Sequence, residues 1–330
     1  MAGKLSVLEI CAGAGGQSSG LEQAGFSHAA AVEIETIFCD TLRLNRPEWN
    51  VIEADIKELD GRAFRGVDLL AGGVPCPPFS IAGKQLGSDD ERDLFPAALR
   101  LIEQARPAAV MLENVRGLAG SRFGTYREGI LTALYRMGYE PHWQVLNASE
   151  FGVPQLRPRF ILVALRQKLA RHFRWPEPQG TPPTVGQAIG DLMAADGWKG
   201  AMRWAAQANG IAPTIVGGSK KHGGPDLGPT RARDEWRRMG VDGLGLADAP
   251  PDQNAPLDFL PKLTLRMVAR LQGFPDDWQF AGRKTAAYRQ IGNAFPPPVA
   301  AAVGGWIYAA VAGRKWTADE GESAIQLQPA

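Results

Sequence analysis

Short apolar runs alternate with helical patterns through the first half of the chain. Five runs are typical of buried strands, at residues 5–10, 29–32, 67–71, 108–112 and 160–165. Between them, residues 18–24 and 94–104 carry apolar positions at helical spacing. Strands that alternate with helices indicate a mostly parallel sheet with helices on both faces. The predicted fold class is therefore α/β, with a doubly wound sheet.

The pattern changes near residue 176, where regular periodicity is lost. Residues 175–185 are rich in proline, and residues 211–230 are rich in glycine and proline. Periodicity returns at residues 263–271 and 299–310. We predict a first domain over 1–178, a second, smaller loop-rich domain over 179–284, and a C-terminal segment over 285–330 that returns to the first domain.

Composition is typical of soluble globular proteins. The 330 residues are 45% hydrophobic and 22% charged, with a net charge of +1. Three cysteines are too few for a disulfide framework, and neither they nor the four histidines have metal-ligand spacing. No apolar run approaches the roughly 20 residues of a membrane span, and the N-terminus lacks a signal-peptide pattern. We expect a cytoplasmic, monomeric protein without a metal or a membrane span.

Basic residues are concentrated locally although the whole chain is nearly neutral. Residues 154–176 carry arginines and a lysine but no acidic residue, and a second group comprises Lys220, Lys221, Arg231 and Arg233. A local basic surface can guide a polyanion to the protein. The alternative is a solvated charged face with no partner.

A glycine-rich turn follows the first predicted strand, in the sequence Leu8-Glu-Ile-Cys-Ala-Gly-Ala-Gly-Gly16. Glycines at a strand–helix turn let the backbone approach a bound ligand closely. Glu33 ends the second strand and can accept hydrogen bonds from ribose hydroxyls, and Asp55 can accept from an adenine amino group. Nicotinamide-dependent oxidoreductases have similar loops, so this motif alone is weak.

The sequence Gly72-Gly-Val-Pro-Cys-Pro-Pro-Phe-Ser80 follows the predicted strand at residues 67–71. Ligands bind open α/β sheets at the carboxyl ends of the strands, so Cys76 is expected in the ligand crevice. Buried cysteines usually pack as small hydrophobes, but a loop position between prolines does not favour packing. Cys76 is therefore a candidate nucleophile.

Acidic and basic side chains follow the next strands. Glu113 comes at the carboxyl end of the strand at 108–112, which indicates a carboxyl group at the same sheet edge as Cys76. A thiol beside a carboxyl group suggests nucleophilic attack assisted by an acid. Strand periodicity puts Gln155, Arg157 and Arg159 on one face, where phosphates or the Glu113 carboxylate could pair with the arginines.

Two further segments lie near the end of the chain, at residues 270–275 (RLQGFP) and 290–297 (QIGNAFPP). Together with the earlier motifs they resemble the cytosine-C5 DNA methyltransferase family, in the order typical of that family and from Leu8 to about Val303. The resemblance implies a Rossmann-like methyltransferase fold and DNA (cytosine-5)-methyltransferase activity with S-adenosylmethionine as methyl donor and S-adenosylhomocysteine as product.

The resemblance also implies site residues and partners. Cys76, Glu113 and Arg159 would act on the base, with Arg157 as a supporting residue of the catalytic site, and the target-recognition region would extend from about residue 179 to 262. The cofactor site would comprise Cys11, Ala12, Gly13, Gly15, Gly16, Glu33, Ile34, Asp55, Ile56, Pro75, Asn293 and Ala294. DNA contacts are expected at Ser80, Lys84, Arg92, Lys220, Lys221, Arg231 and Arg233. The partners would be double-stranded DNA and, as a genetic partner, a cognate restriction endonuclease.

Some positions depart from the family pattern. The family usually has phenylalanine where this chain has Cys11, and often has proline and glutamine where it has Val74 and Pro77. These changes weaken the expectation of an aromatic contact with the cofactor and of a glutamine contact with DNA. They leave the nucleophile and the acid in place.

In the implied mechanism, the Cys76 thiolate adds to C6 of a cytosine that has flipped out of the duplex. Glu113 holds a proton toward N3, and the loop after Cys76 is expected to close as a lid. Three alternatives stay open: a C5 methyltransferase for transfer RNA, a nicotinamide-dependent oxidoreductase, and a DNA-binding regulator that has lost catalysis.

Overall fold

The structure is a computed structural model that describes residues 4–75, 93–218 and 224–313. Its contacts divide the chain into two compact units. The first comprises Met1–Leu146, Pro158–Pro176 and Ala300–Gln326, and the second comprises Asn147–Arg157, Glu177–Val299 and Leu327–Ala330. These limits differ from the predicted boundaries at 178 and 284, and the roles predicted for the three segments stay predictions.

The first unit is built on a seven-stranded sheet of order β3-β2-β1-β4-β5-β7-β6. The strands are β1 (Ser6–Ile10), β2 (Ser27–Glu33), β3 (Val51–Glu53), β4 (Leu69–Gly73), β5 (Ala109–Val115), β6 (Tyr139–Asn147) and β7 (Pro158–Arg166). Neighbouring strands from β3 to β5 are parallel, whereas β7 pairs with β5 in the antiparallel direction. The predicted mostly parallel α/β sheet is confirmed.

The five predicted strands are present, with ends that differ from the predictions by at most three residues. They were recognisable because the central strands are buried on both faces and read as continuous apolar runs. Strand β3 is not among the five predicted runs, and neither is β6. Strand β6 exposes Trp143 and Val145 among polar residues, so it has no clean alternation and no continuous apolar run.

Helices cover both faces of the sheet. On one face, α3 (Phe95–Ala105) buries Phe95, Ala98, Leu101, Ile102 and Ala105, which recur at the spacing of one helical face. These residues and α4 (Gly124–Arg136) pack on alternate strand residues such as Leu8 and Leu70. On the other face, Leu42 of α2 (Thr36–Asn45) packs with Ala31.

The remaining helices of the first unit are α1 (Gly16–Gln23), the short α5 (Gln167–Ala170) and most of α11 (Pro297–Ala312). Gly304 of α11 lies against Leu21 and Ala24, which brings the end of the chain back to the first helix. By length and composition, Lys284–Ala312 could cross a membrane, but 78% of its apolar window is buried inside the protein. Such burial is typical of a helix in the protein core, so this segment is weak evidence for a membrane span.

The second unit has short helices joined by long loops. Its helices are α6 (Val185–Ala194), α7 (Ala201–Gln207), α8 (Thr230–Arg238), α9 (Leu265–Leu271) and α10 (Lys284–Asn293). Apart from the end of β6, its described residues form isolated bridges rather than strands. The prediction of a second, loop-rich part of the chain is confirmed.

Candidate active site

Glu113 and Arg159 form an ion pair at the carboxyl end of β5. Arg159 Nε lies 2.8 Å from Glu113 Oε1, and their side chains are 13% and 12% exposed. The antiparallel register of β5 and β7, which places Val115 opposite Arg159, brings the two side chains together. Burial lowers the pKa of Arg159 and the Glu113 carboxylate opposes that shift, so the guanidinium stays charged near neutral pH. The arginine fixes one oxygen of the carboxyl group.

The backbone that leads to Cys76 lies beside this ion pair. Gly73 is paired with Glu113 in the sheet, and a Cβ atom at Gly73 would lie 3.2 Å from Glu113 Oε2. The Asn114 side chain donates through Nδ2 to the Val74 carbonyl at 2.7 Å. Glu113 thus lies beside the end of β4, as predicted, and the described backbone continues from there to Pro75. Cys76, Ser80, Lys84 and Arg92 lie outside the described residues.

The glycine-rich turn is stabilised by Glu33. The Glu33 carboxylate accepts hydrogen bonds from the backbone N–H groups of Gly13 (2.8 Å), Ile34 (2.9 Å) and Glu35 (2.9 Å). Burial raises the pKa of Glu33 above its usual value, and these three hydrogen bonds oppose the rise. Gly13 and Gly15 have positive φ angles of 57° and 87°, and a Cβ at Gly13 would have nothing within 4 Å. Among the described residues, the turn at Gly13 therefore has open space beside it.

Two polar residues at this turn were missed by the sequence analysis. Gln17 and Ser18 lie in the first turn of α1 and are buried. Within the described part of the chain, neither the Gln17 amide nor the Ser18 hydroxyl has a hydrogen-bond partner. Buried polar groups are normally paired, so the two mark a place where a polar ligand fits. Their position immediately after Gly16 was the available signal.

The other predicted cofactor residues of the first unit surround the same strand ends. Ile34 is 59% exposed, which is unusual for a large apolar side chain next to a buried carboxylate. Asp55 accepts from the Lys57 backbone N–H at 2.9 Å, and Ile56 is buried in the core. Ala12 is also buried and donates through its N–H to the Val32 carbonyl.

The two described cysteines are poor nucleophiles. Desolvation raises the pKa of the Cys11 thiol, and the nearby Glu33, Asp55 and Glu9 carboxylates raise it further. Burial raises the pKa of Cys39 to about 11. The thiolate is the reactive form of cysteine, so both thiols are largely unreactive near neutral pH.

Comparison with known proteins decides the family. A sequence model described as C-5 cytosine-specific DNA methylase matches residues 5–309. The chain belongs to this family. It is 61% identical over 311 residues to the Type II methyltransferase M.NaeI of Lentzea aerocolonigenes, covering 93% of this chain and 75% of the relative. It is 54% identical to M.NgoMIV of Neisseria gonorrhoeae, covering 90% and 95%. This membership confirms the predicted family and the DNA (cytosine-5)-methyltransferase activity, and it excludes the oxidoreductase.

A solved structure supports the fold. The crystal structure of Spodoptera frugiperda DNMT2 superimposes with a TM-score of 0.67 at 20% identity, covering 92% of this chain and 99% of that one. At this identity the similarity concerns the fold.

In this methyltransferase, Arg157 and Arg159 are two residues apart but have different partners: Arg157 bonds backbone carbonyls, and Arg159 pairs with Glu113. Arg157 is 1% exposed and belongs to the second unit, whereas Arg159 belongs to the first. Arg157 donates to the backbone carbonyls of Ile215 (2.6 Å), Gly292 (2.7 Å) and Ala294 (3.0 Å). The prediction that Gln155, Arg157 and Arg159 share one strand face is wrong. Strand β7 begins at Pro158, so of the three only Arg159 lies in a strand.

Gln155 completes the network around Arg157. Its side chain accepts from the Ile215 backbone N–H at 3.0 Å and donates to the Leu271 carbonyl and the Gln272 side chain. The motif at 155–157 thus holds together the backbone of three distant segments of the second unit.

Asn293 and Ala294 also lie in the second unit. Asn293 donates through Nδ2 to the Gly218 carbonyl at 3.2 Å, and the Ala294 carbonyl accepts from Gln272 and Arg157. The backbones are closely packed here, since a Cβ atom on either Gly217 or Gly292 would overlap the other segment. The described contacts of these residues are therefore with other parts of the second unit.

The segment predicted to read DNA is divided by the structure. At its start, Ile215 is fully buried, and both its N–H and its carbonyl group are bonded. Lys220 and Lys221 lie outside the described residues. On α8, the Arg231 side chain is 93% exposed and 3.5 Å from Glu235, whereas Arg233 is half-buried and donates to the Thr230 hydroxyl. The start of the segment is thus structural, and α8 carries the exposed cation.

Proposed function

We propose that this DNA methyltransferase transfers a methyl group from S-adenosylmethionine to C5 of a flipped-out cytosine in duplex DNA, through a covalent adduct with Cys76. The observation that carries this proposal is the position of the Glu113 carboxyl group beside Gly73, three residues before Cys76 in the chain. The raised thiol pKa values of Cys11 and Cys39 support Cys76 as the nucleophile among the three cysteines.

Each residue has a stated role in the reaction. The Cys76 thiolate adds to C6 of the ring, which makes C5 electron-rich. Glu113 donates a hydrogen bond or proton at N3 as charge develops there, and Arg159 keeps its carboxyl group oriented. Bound S-adenosylmethionine supplies the methyl group that C5 takes up. A base such as water then takes the C5 proton, the C5–C6 double bond re-forms, and the C6–S bond breaks to release Cys76 as the thiolate.

The residues around the glycine-rich turn fit a nucleoside-type cofactor. Gln17 and Ser18 offer buried polar groups that need partners, and Gly13 leaves the space above the turn open. The exposed Ile34 offers an apolar surface for a purine ring beside the Glu33 carboxylate. We also propose as cofactor contacts the remaining residues of the predicted site, namely Asp55, Ile56, Pro75, Asn293 and Ala294.

Target DNA is proposed to be bound by segment 179–284, with Arg231 and Arg233 on α8 as base contacts. Further proposed contacts with phosphate or bases are Lys220, Lys221, Ser80, Lys84 and Arg92. The relatives are named Type II methyltransferases, which supports a cognate restriction endonuclease as genetic partner.

Trapping of the covalent adduct tests the proposal. The target sites are first mapped by base-resolution methylation of plasmid DNA from a methylation-deficient host. Duplex DNA with 5-fluorocytosine at a mapped site is then mixed with enzyme and S-adenosylmethionine. Because the fluorine does not leave as a proton does, a stable complex should form with wild-type protein and not with Cys76→Ala. Absence of any complex with the wild type, or methylation of transfer RNA in preference to duplex DNA, would overturn the proposal.

A further inference from the structure

Asp93, which is buried, and Tyr126, which is half-buried, form a hydrogen-bonded pair outside the predicted site. The Tyr126 hydroxyl, on α4, lies 2.7 Å from both carboxyl oxygens of Asp93, which is 6% exposed. Asp93 also accepts from the Phe95 backbone N–H at 3.0 Å, which forms an Asx-type turn just before α3. The Phe95 and Tyr126 rings meet edge to face at 6.0 Å. In the described part of the chain, Asp93 has no ion-pair partner.

This pair is connected to the backbone at Pro75. Leu94, which follows Asp93, donates through its N–H to the Pro75 carbonyl at 3.3 Å. The preceding residue, Val74, is bonded at its carbonyl by the Asn114 amide. The backbone at 74–75 is therefore bonded to two elements: Val74 to the end of β5 through Asn114, and Pro75 to the start of α3 through Leu94. The Tyr126 hydroxyl bonds Asp93, the residue before Leu94, and so ties α4 to the start of α3.

We propose that Tyr126 is a positioning residue for methyl transfer, acting through Asp93 and Leu94 to hold the Pro75 carbonyl. Pro75 immediately precedes Cys76 in the chain, so the inference rests on the proposed function of Cys76. A displacement of about 1 Å at a reacting group can cost about 100-fold in rate. Loss of the Tyr126 hydroxyl should therefore slow methyl transfer with little effect on DNA affinity.

The chain offers a matched control for a lost tyrosine hydroxyl. Tyr139 is fully buried, and its hydroxyl donates to the Pro107 carbonyl at 2.8 Å. Pro107 precedes β5, whereas Glu113 lies near its other end. Tyr139→Phe and Tyr126→Phe each remove one hydrogen-bonded hydroxyl from the first unit, but of the two only Tyr126 is connected to Pro75 through Asp93 and Leu94. If the Tyr126 hydroxyl only stabilises the fold, the two variants should lose methylation activity equally.

The test compares wild type, Tyr126→Phe, Tyr139→Phe and Asp93→Asn as full-length proteins. Single-turnover methylation of plasmid DNA from a methylation-deficient host is measured together with the melting temperature and the Kd values for S-adenosylmethionine and DNA. Asp93→Asn is the conservative variant, because its amide can accept from Phe95 and donate to the Tyr126 oxygen.

At saturating S-adenosylmethionine, Tyr126→Phe should reduce the single-turnover rate at least about tenfold more than Tyr139→Phe does, with the Kd for DNA changed less than about twofold. Asp93→Asn should retain more activity than Tyr126→Phe. Equal rates for the two phenylalanine variants, or a rate loss that follows the melting temperature alone, would overturn the positioning role. If Tyr126→Phe does not fold, a fully active Asp93→Ala would overturn it and a folded but slow Asp93→Ala would support it. Failure of the wild type to form the Cys76 adduct would instead contradict the proposed function.

Discussion

Arg159 donates from Nε to Glu113 Oε1 across the antiparallel pairing of β5 with β7. The contact joins residues 46 positions apart in the chain. It orients a carboxyl group at the carboxyl end of β5, beside the backbone of Gly73. The proposed acid is thereby held rigidly by two strands rather than by a loop, which is the condition for efficient positioning of a reacting group.

Replacement of Glu113 by glutamine should slow methyl transfer far more than it weakens DNA binding. The amide keeps the shape of the side chain but cannot supply a proton, and general acid–base assistance contributes about 10² to 10⁴ in rate. Single-turnover methylation measures the chemical step, and a gel-shift titration measures binding. A loss of less than about threefold, far below that range, would show that Glu113 only supports the structure.

Replacement of Arg157 by methionine should destabilise the protein rather than remove a group that acts on the base. Three carbonyl acceptors, at Ile215, Gly292 and Ala294, would lose a buried donor. Each unsatisfied group costs about 1–3 kcal/mol. Urea denaturation should show the loss, with Arg231→Met as a control that leaves stability nearly unchanged because its side chain is 93% exposed. A stable but inactive Arg157 variant would instead favour a direct catalytic role.

Replacement of Arg231 by alanine should relax the preference for one base pair of the target. A base-reading arginine contributes about 1–3 kcal/mol to discrimination, and the weak surface pair with Glu235 leaves this side chain available. Methylation mapped across many sites reports the preference. If Arg231 instead contacts phosphate, binding would weaken at all sites alike and the salt slope would fall by about one.

Arg233 is the natural comparison on the same helix. Its side chain packs against Gly243 and bonds the Thr230 hydroxyl. If Arg233 stabilises α8 and does not contact DNA, Arg233→Ala should lower the melting temperature and leave the base preference unchanged. A relaxed preference at normal stability would identify it as a base reader.

The three thiols should differ in reactivity toward iodoacetamide. A raised pKa lowers the thiolate fraction at a given pH, so Cys11 and Cys39 should stay mostly protonated at about pH 8, where an ordinary cysteine with pKa near 8.5 is partly ionised. Cys76 should therefore be alkylated first in the native protein, and the other two mainly after unfolding or well above that pH. Mass spectrometry of the labelled peptides gives the order. Equal labelling of Cys11 and Cys76 would contradict the raised pKa of Cys11.

The sequence by itself determined the elements with local signals. Continuous apolar runs gave β1, β2, β4, β5 and β7, because strands buried on both faces need apolar residues at every position. The glycine-rich turn and Glu113 were recognisable because chemistry at the carboxyl ends of parallel strands follows from chain order alone. The family could be inferred because the motifs occur together and in order.

The tertiary structure decided which distant residues meet. The antiparallel insertion of β7 next to β5 pairs Arg159 with Glu113, while Arg157 goes to the carbonyls of the second unit. Gln17 and Ser18 are polar in sequence, and only folding shows that they are buried without partners in the described chain. The Asp93–Tyr126 pair likewise joins two helices. Burial and hydrogen bonding between distant segments depend on the whole packed chain, so a local pattern does not specify them.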